Sequence, residues 1–219
     1  MSDFAPAQSQ DRSVPTSVTV AATAHRAMIE IFRRKDPSAV DRFFAEPFVQ
    51  HDPTIADGLP GMKLFAAEVA NSPAADITIF RTLVDGDLVL LHSKYEGLKY
   101  LPGPLIAFDL FRFKNSKIVE HWGGREPEAA PNLSGHTQVD GPTAVIDREK
   151  TEANRALVRA FREVVTVQLH LERVGEFIDD NYIQHASGFG DGIARFKSRV
   201  LDVAKPAAVP VLKLTRRKP

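Results

Sequence analysis

The chain has 219 residues, with 28 Lys plus Arg against 28 Asp plus Glu, 43% hydrophobic residues and no cysteine. A zero formal charge argues against a nucleic-acid partner, whose phosphates require a basic excess, and the lack of thiols removes disulfide scaffolds, Cys-ligated zinc, iron–sulfur clusters and a thiol nucleophile. No run reaches the ~18 apolar residues of a membrane span, and MSDFAPAQSQDRSVPTS lacks the basic and apolar regions of a secretory signal, so a cytoplasmic location with no membrane partner is expected.

The pattern opens with helices. Between Val18 and Lys35 the residues Ala24, Ala27, Met28, Ile31 and Phe32 recur at helical spacing, which predicts an amphipathic helix behind a loose leader. Asp36 and Pro37 read as an N-cap and a first-turn proline, opening a short helix that buries Val40, Phe43 and Phe44. FVQHDPTIADG reads as a brief extended piece, broken at Pro53 and turned at Asp57-Gly58, before a third helix from Gly61 to Asn71. After Pro73 the period becomes alternating. DITIFRTLV, DLVLLHSKYEG, LIAFDLFRFK and KIVEHW read as strands, with Asp85-Gly86 and Asn115-Ser116 as hairpin turns. Helices followed by a meander define an α+β class: a curved antiparallel sheet wrapped on N-terminal helices, forming a cone with a pocket.

The second half echoes the first. ANRALVRAF from Ala153 matches AHRAMIEIF from Ala24, and EFIDDNYIQHASGFGDG matches RFFAEPFVQHDPTIADG, so that His185 answers His51 and Asp191-Gly192 answers Asp57-Gly58. Carried forward, this register lays VLKLTRRKP over the first strand of the meander. The expected organisation is a complete domain at 18–130, a Pro-, Gly- and Ser-rich linker at 131–149, and an incomplete, mainly helical second copy at 150–219. The apolar helix faces of that copy are expected to be buried on the outer face of the first domain's sheet or on another chain. Its basic end reads as a solvated tail, because no aromatics interleave with the charges.

FVQHDPTIADG after two helices, then FDLFRFKNSKIVEHW at the end of the meander, resembles the SnoaL-like branch of the nuclear-transport-factor-2-like, cystatin-like superfamily. The resemblance spans residues 20–126 as a domain and 150–216 as an unfinished one. It implies a cone of three helices and a strongly bent sheet, commonly dimerising through the sheet, hence a homodimer. It also implies polyketide-cyclase-like chemistry, an intramolecular aldol closure without metal or organic cofactor. Superfamily relatives include isomerases, dehydratases, epoxide hydrolases and pure binding modules, so fold alone leaves function open. In such sequences the HW pair is usually followed by an acidic residue used as acid/base. Here Gly123 and Gly124 follow, and Arg125 and Glu126 are expected to lie beyond the strand.

The candidate chemistry rests on carboxylates and imidazoles. On its strand Asp109 shares a face with Ala107, Phe111 and Phe113, and desolvation there would let it serve as general base toward a proton next to a carbonyl. The plainer alternative pairs it with an Arg or Lys or with a backbone N–H. His51, at the mouth of the cone, and His121, in phase with Val119 and Gly123, are candidate acids or carbonyl polarisers. Each serves equally well as a hydrogen-bonded structural residue, His51 by fixing its turn. His92, Tyr95, Tyr100 and Phe111 are candidate ligand contacts, the tyrosines forming an apolar lip or simply covering the sheet's end. Trp122 shares a face with Ile118 and Glu120 and reads as core or dimer-interface packing. The histidines show no metal-ligand spacing, so neither metal nor cofactor is expected. Two functions follow: a domain that binds a small, apolar, carbonyl-bearing molecule and abstracts a proton from it, or a non-catalytic binding or dimerisation module with a degenerate site.

Overall fold

The structure, a computed structural model, describes residues 17–99 and 101–204. They form two compact units, one ending at Glu128 and the other beginning at Ala129. Tyr100, the leader and the strand expected at VLKLTRRKP lie outside the described residues.

The first unit has helices α1 (Ser17–Phe32), α2 (Ala39–Phe43) and α3 (Gly58–Ala70), and strands β1 (Phe44–Gln50), β2 (Asp76–Asp85), β3 (Leu88–Glu96), β4 (Leu105–Lys114) and β5 (Lys117–Pro127). The sheet runs β1-β5-β4-β3-β2, with β1 parallel to β5 and the other pairs antiparallel. It is the expected α+β arrangement, except that the brief extended piece before Pro53 is a full edge strand. Turn chemistry explains the meander. Gly86 takes φ +61° between β2 and β3, and Asn115 and Ser116 both take positive φ between β4 and β5, as two-residue hairpins demand.

The period-3.6 stripe of α1 is the heart of the core: Ala24, Ala27, Met28, Ile31 and Phe32 are all buried. Phe32 stacks on Tyr95 with ring centroids 4.7 Å apart, and truncating such a ring to Ala costs about 3–5 kcal/mol. Asp36 does not cap α2 directly. Its carboxylate accepts from Ser38 N and Oγ at 3.0 and 2.6 Å, and the helix starts one residue later. Asp57 is a true N-cap, accepting from Gly58 N at 2.8 Å, a contact worth about 1 kcal/mol.

The second unit contains α4 (Thr151–Phe161), a wide helical turn at 162–167, a short tight helix at 171–176 and α5 (Gly192–Ala204). Val165, Leu171, Val174 and Phe196 make a small core with Phe161, Phe177 and Tyr182 around it. The segment read as a linker supplies Asn132 and Ser134 to this unit: Asn132 Nδ2 donates to Gln184 O at 2.5 Å, and Asp191 N donates to Ser134 Oγ at 2.9 Å. The loop before α5 repeats two hydrogen bonds of the loop before α3. Gln50 N donates to Asp57 Oδ1 at 2.7 Å as Gln184 N does to Asp191 Oδ1 at 2.9 Å, and each glutamine's Oε1 accepts at 2.9 Å from the backbone N–H two residues on.

Candidate functional site

Alternation along β4 turns Leu105, Ala107, Asp109, Phe111 and Phe113 inward, all buried, while Phe108 faces out. On β3 the same face carries Val89, Leu91, Ser93 and Tyr95. β5 carries a bulge opposite Arg112/Phe113. It lets Ile118 point inward and then, one residue out of simple alternation, His121, Gly123 and Arg125. The bulge therefore overturns the expected faces: Ile118 and Trp122 are on opposite sides. Trp122 is half-buried between the His51 ring, stacked at 4.8 Å, and the Arg112 guanidinium, 5.6 Å from its centroid. Arg125 and Glu126 do not leave the strand, which continues to Pro127.

Four strands thus meet in a chain of buried hydrogen bonds. Tyr95 Oη donates to Asp109 Oδ2 at 2.5 Å, His121 Nε2 lies 3.1 Å from Asp109 Oδ1, and His121 Nδ1 lies 2.9 Å from Gln50 Oε1. Asp109 thus pairs with a tyrosine and a histidine rather than with an Arg, a Lys or a backbone N–H. The protonation follows from the donors. Asp52 N–H can only donate, so the Gln50 atom it meets at 2.9 Å is the carbonyl oxygen. That oxygen accepts, so His121 Nδ1 must carry a hydrogen. The Nε2 lone pair of a neutral ring would then face a carboxylate lone pair, so one proton is held between His121 and Asp109. Burial first, and the neighbouring Asp109 charge second, push the Tyr95 hydroxyl well above its usual range, which keeps it a donor. Hydrogen bonds to a charged partner, about 1.5–3 kcal/mol each, offset the several kcal/mol of burying the carboxylate.

A second carboxylate reaches the same place from the β1–α3 loop. Asp52 is buried, and its Oδ1 accepts from Thr54 N and Oγ1 at 2.9 and 2.8 Å. Its Oδ2 pairs with Arg125 Nη2 at 2.5 Å, and Arg125 also bonds Thr54 Oγ1. A Cβ on Gly123 would lie 2.6 Å from Asp52 Oδ2. The glycine that leaves the strand without an acidic side chain therefore makes room for one from a loop.

Asp52, Tyr95, Asp109, Phe111, His121 and Arg125 line a hollow closed by Met28, Ile55, Met62 and Phe65. Its free volume is about 10 Å³, room for about one water-sized sphere. Beyond Ile55, Phe65 and Arg125, which line both spaces, lies a mostly apolar groove of about 470 Å³ reaching Leu64, Glu68 and Leu101. Of the residues proposed from sequence, Asp109, His121, Tyr95 and Phe111 converge here. His51 does not line the hollow; its Nε2 meets Glu120 Oε1 at 2.9 Å beside Trp122. His92 stacks on Phe108 at 4.4 Å, on the opposite face of the sheet. Gln50, Asp52 and Arg125 escaped sequence reasoning. The available signal was the recurrence of Gln50 and Asp57 as Gln184 and Asp191, which marks a hydrogen-bonded loop rather than a featureless turn.

Residues 25–121 match the family described as the SnoaL-like domain. The matched stretch lies wholly within the first unit. Similar solved structures include TsrD from Streptomyces laurentii (15% identity, 51% of this chain and 90% of that one, TM-score 0.44). A candidate SnoaL-like polyketide cyclase from Jannaschia sp. CCS1 has 18% identity over 54% of this chain and 92% of its own, with TM-score 0.44. An NTF2-like protein of unknown function from Mesorhizobium loti has 22% identity over 54% and 97%, with TM-score 0.43. No curated protein sequence matches the chain. Among the described residues no helix is long and apolar enough to cross a membrane.

Proposed function

We propose that the first unit binds a small, apolar, carbonyl-bearing molecule and moves a proton on it, as an aldol-type cyclase or an isomerase does. The observation that carries this reading is the buried Tyr95–Asp109–His121–Gln50 chain at the end of an apolar groove. With the shared proton on His121, Asp109 is a carboxylate whose charge is balanced in place. Tyr95 and His121 occupy only part of its roughly four lone-pair sites. The proton on the carbon next to the substrate carbonyl passes to a free lone pair of Asp109. The electron pair left behind becomes an enolate, and its oxygen is held by the Arg125 guanidinium. The enolate carbon then attacks a second carbonyl, whose oxygen takes the proton from Asp109 as it becomes a hydroxyl, or the enolate takes the proton back at another carbon; either way Asp109 is restored. Such a step needs neither metal nor organic cofactor. Arg125 leaves Asp52 as the reacting end passes Ile55 and Phe65.

The size of the hollow favours a second reading, in which the ligand stays in the outer groove and no proton moves. Solvent-deuterium incorporation beside the carbonyl of 2-tetralone and of acetoacetate esters, followed by proton NMR with the full chain in D2O, separates the two. Catalysed exchange is expected, reduced about 10²–10⁴-fold by Asp109→Asn. Saturable binding without exchange would establish the second reading, and exchange unchanged by Asp109→Asn would remove Asp109 from the chemistry.

We also read the second unit as a partial copy of the first. The shared hydrogen-bond pattern of the two loops, and Gly58 and Gly192 at φ +74° and +81° at the same step, support this.

A further inference from the structure

We propose that the second unit holds a divalent transition-metal ion of the Zn²⁺ class between His136, Asp140 and His185. One ligand atom from each of these half-buried side chains lies within 4.8 Å of the others. The Asp140 carboxylate sits between the imidazoles, with Oδ2 3.1 Å from His136 Nδ1 and Oδ1 2.6 Å from His185 Nδ1. Tetrahedral zinc with bonds of about 2.0–2.1 Å sets neighbouring ligand atoms about 3.3 Å apart; the 3.1 Å between His136 and Asp140 is already near that spacing, and the remaining separations, all within 4.8 Å, would adjust as the ion enters.

The surroundings are what distinguish this cluster from a chance meeting of polar groups. His136 Nε2 lies 3.2 Å from Asp191 Oδ2. A metal-bound imidazole characteristically hands its other N–H to a carboxylate, which fixes ring and tautomer. Asp191 is itself held by Gln184 N and by Ser134 Oγ, and Asp140 N donates to Thr137 Oγ1 at 3.1 Å. Charge closes as well: two carboxylates and two neutral imidazoles match one dication. The metal takes the place of the hydrogens between the imidazoles and Asp140: each ring binds through Nδ1 as the neutral tautomer with its hydrogen on Nε2, and any second ring proton leaves to solvent. Three protein ligands leave a coordination position for water or another small ligand. Without a metal, the same contacts would simply be a hydrogen-bonded brace for the loop before α5, with His185 Nδ1 also near Thr137 O at 3.1 Å.

Titration of the full, untagged, chelator-treated chain with Co²⁺ alone, followed by visible absorption, and then with Zn²⁺ by calorimetry, decides between them. One ion per chain is expected, with Zn²⁺ displacing Co²⁺. Asp191→Asn should weaken binding about 10–100-fold, His185→Ala and Asp140→Asn should weaken it further, and His51→Ala should leave it unchanged. X-ray absorption of the zinc-loaded wild type, which needs no variant, should show two imidazoles. No stoichiometric binding, a zinc shell without imidazole, or affinity indifferent to His185→Ala and Asp140→Asn would overturn the assignment.

Discussion

Gly123 has no side chain because the Asp52 carboxylate uses the space beside it. A methyl group there must displace a buried carboxylate and its ion pair with Arg125, and overpacking of this kind costs about 1–3 kcal/mol. Gly123→Ala should therefore destabilise the protein by that amount in urea denaturation and by much less when Asp52 is already Ala. Equal costs in the two backgrounds would mean that the strain lies elsewhere. At this scale the sequence was legible where periodicity spoke. Asp109 stood out because it broke an apolar alternation, and it is buried. Asp52 was hidden because no local pattern tells which loop side chain folds back over a strand, and Arg125 because two glycines looked like the end of β5.

Among the elements, α1 and α2 are joined by a buried charge. Glu30 is buried at the inner end of α1 and pairs with Arg26 at 2.8 Å and with Arg42 of α2. The Arg42 and then the Arg26 hydrogen bonds hold its carboxyl below the usual 4.5. The folded state thus binds this proton less readily than the unfolded chain. The stabilisation is present above about pH 4.5 and is lost as pH falls through the lower folded value. Its size is moderated because the arginines are largely solvent-exposed. Glu30→Gln should lower Tm by a few degrees at pH 7, and the gap should close progressively below pH 4.5 in thermal scans; a gap independent of pH would contradict the assignment. The helices of the first unit and the four strands of the meander followed from residue periodicity, whereas β1, expected only as a brief extended piece, and its pairing with β5 did not. A parallel edge strand far from its partner in sequence leaves no local signature, and a bulge such as that of β5 shifts register without changing composition.

Across the molecule, the first unit carries its own core and its own site, and the second has a small core of its own. The recurrence of QH and DG was visible in the sequence and reappears as matched hydrogen bonds. The use of His136 and Asp140 by the second unit was not, because both lie in a stretch whose composition reads as linker. In the first unit the Tyr95–Asp109–His121–Gln50 chain draws one residue from each of β3, β4, β5 and β1. It forms only when all four strands are in register, so its protonation reports on the fold and on the proposed chemistry together. Long-range proton–nitrogen NMR of the His121 imidazole in the full chain reads it directly. A hydrogen on Nδ1 is predicted, with Nε2 in a hydrogen bond that Asp109→Asn perturbs; a bare Nδ1, or a ring indifferent to Asp109→Asn, would contradict the account.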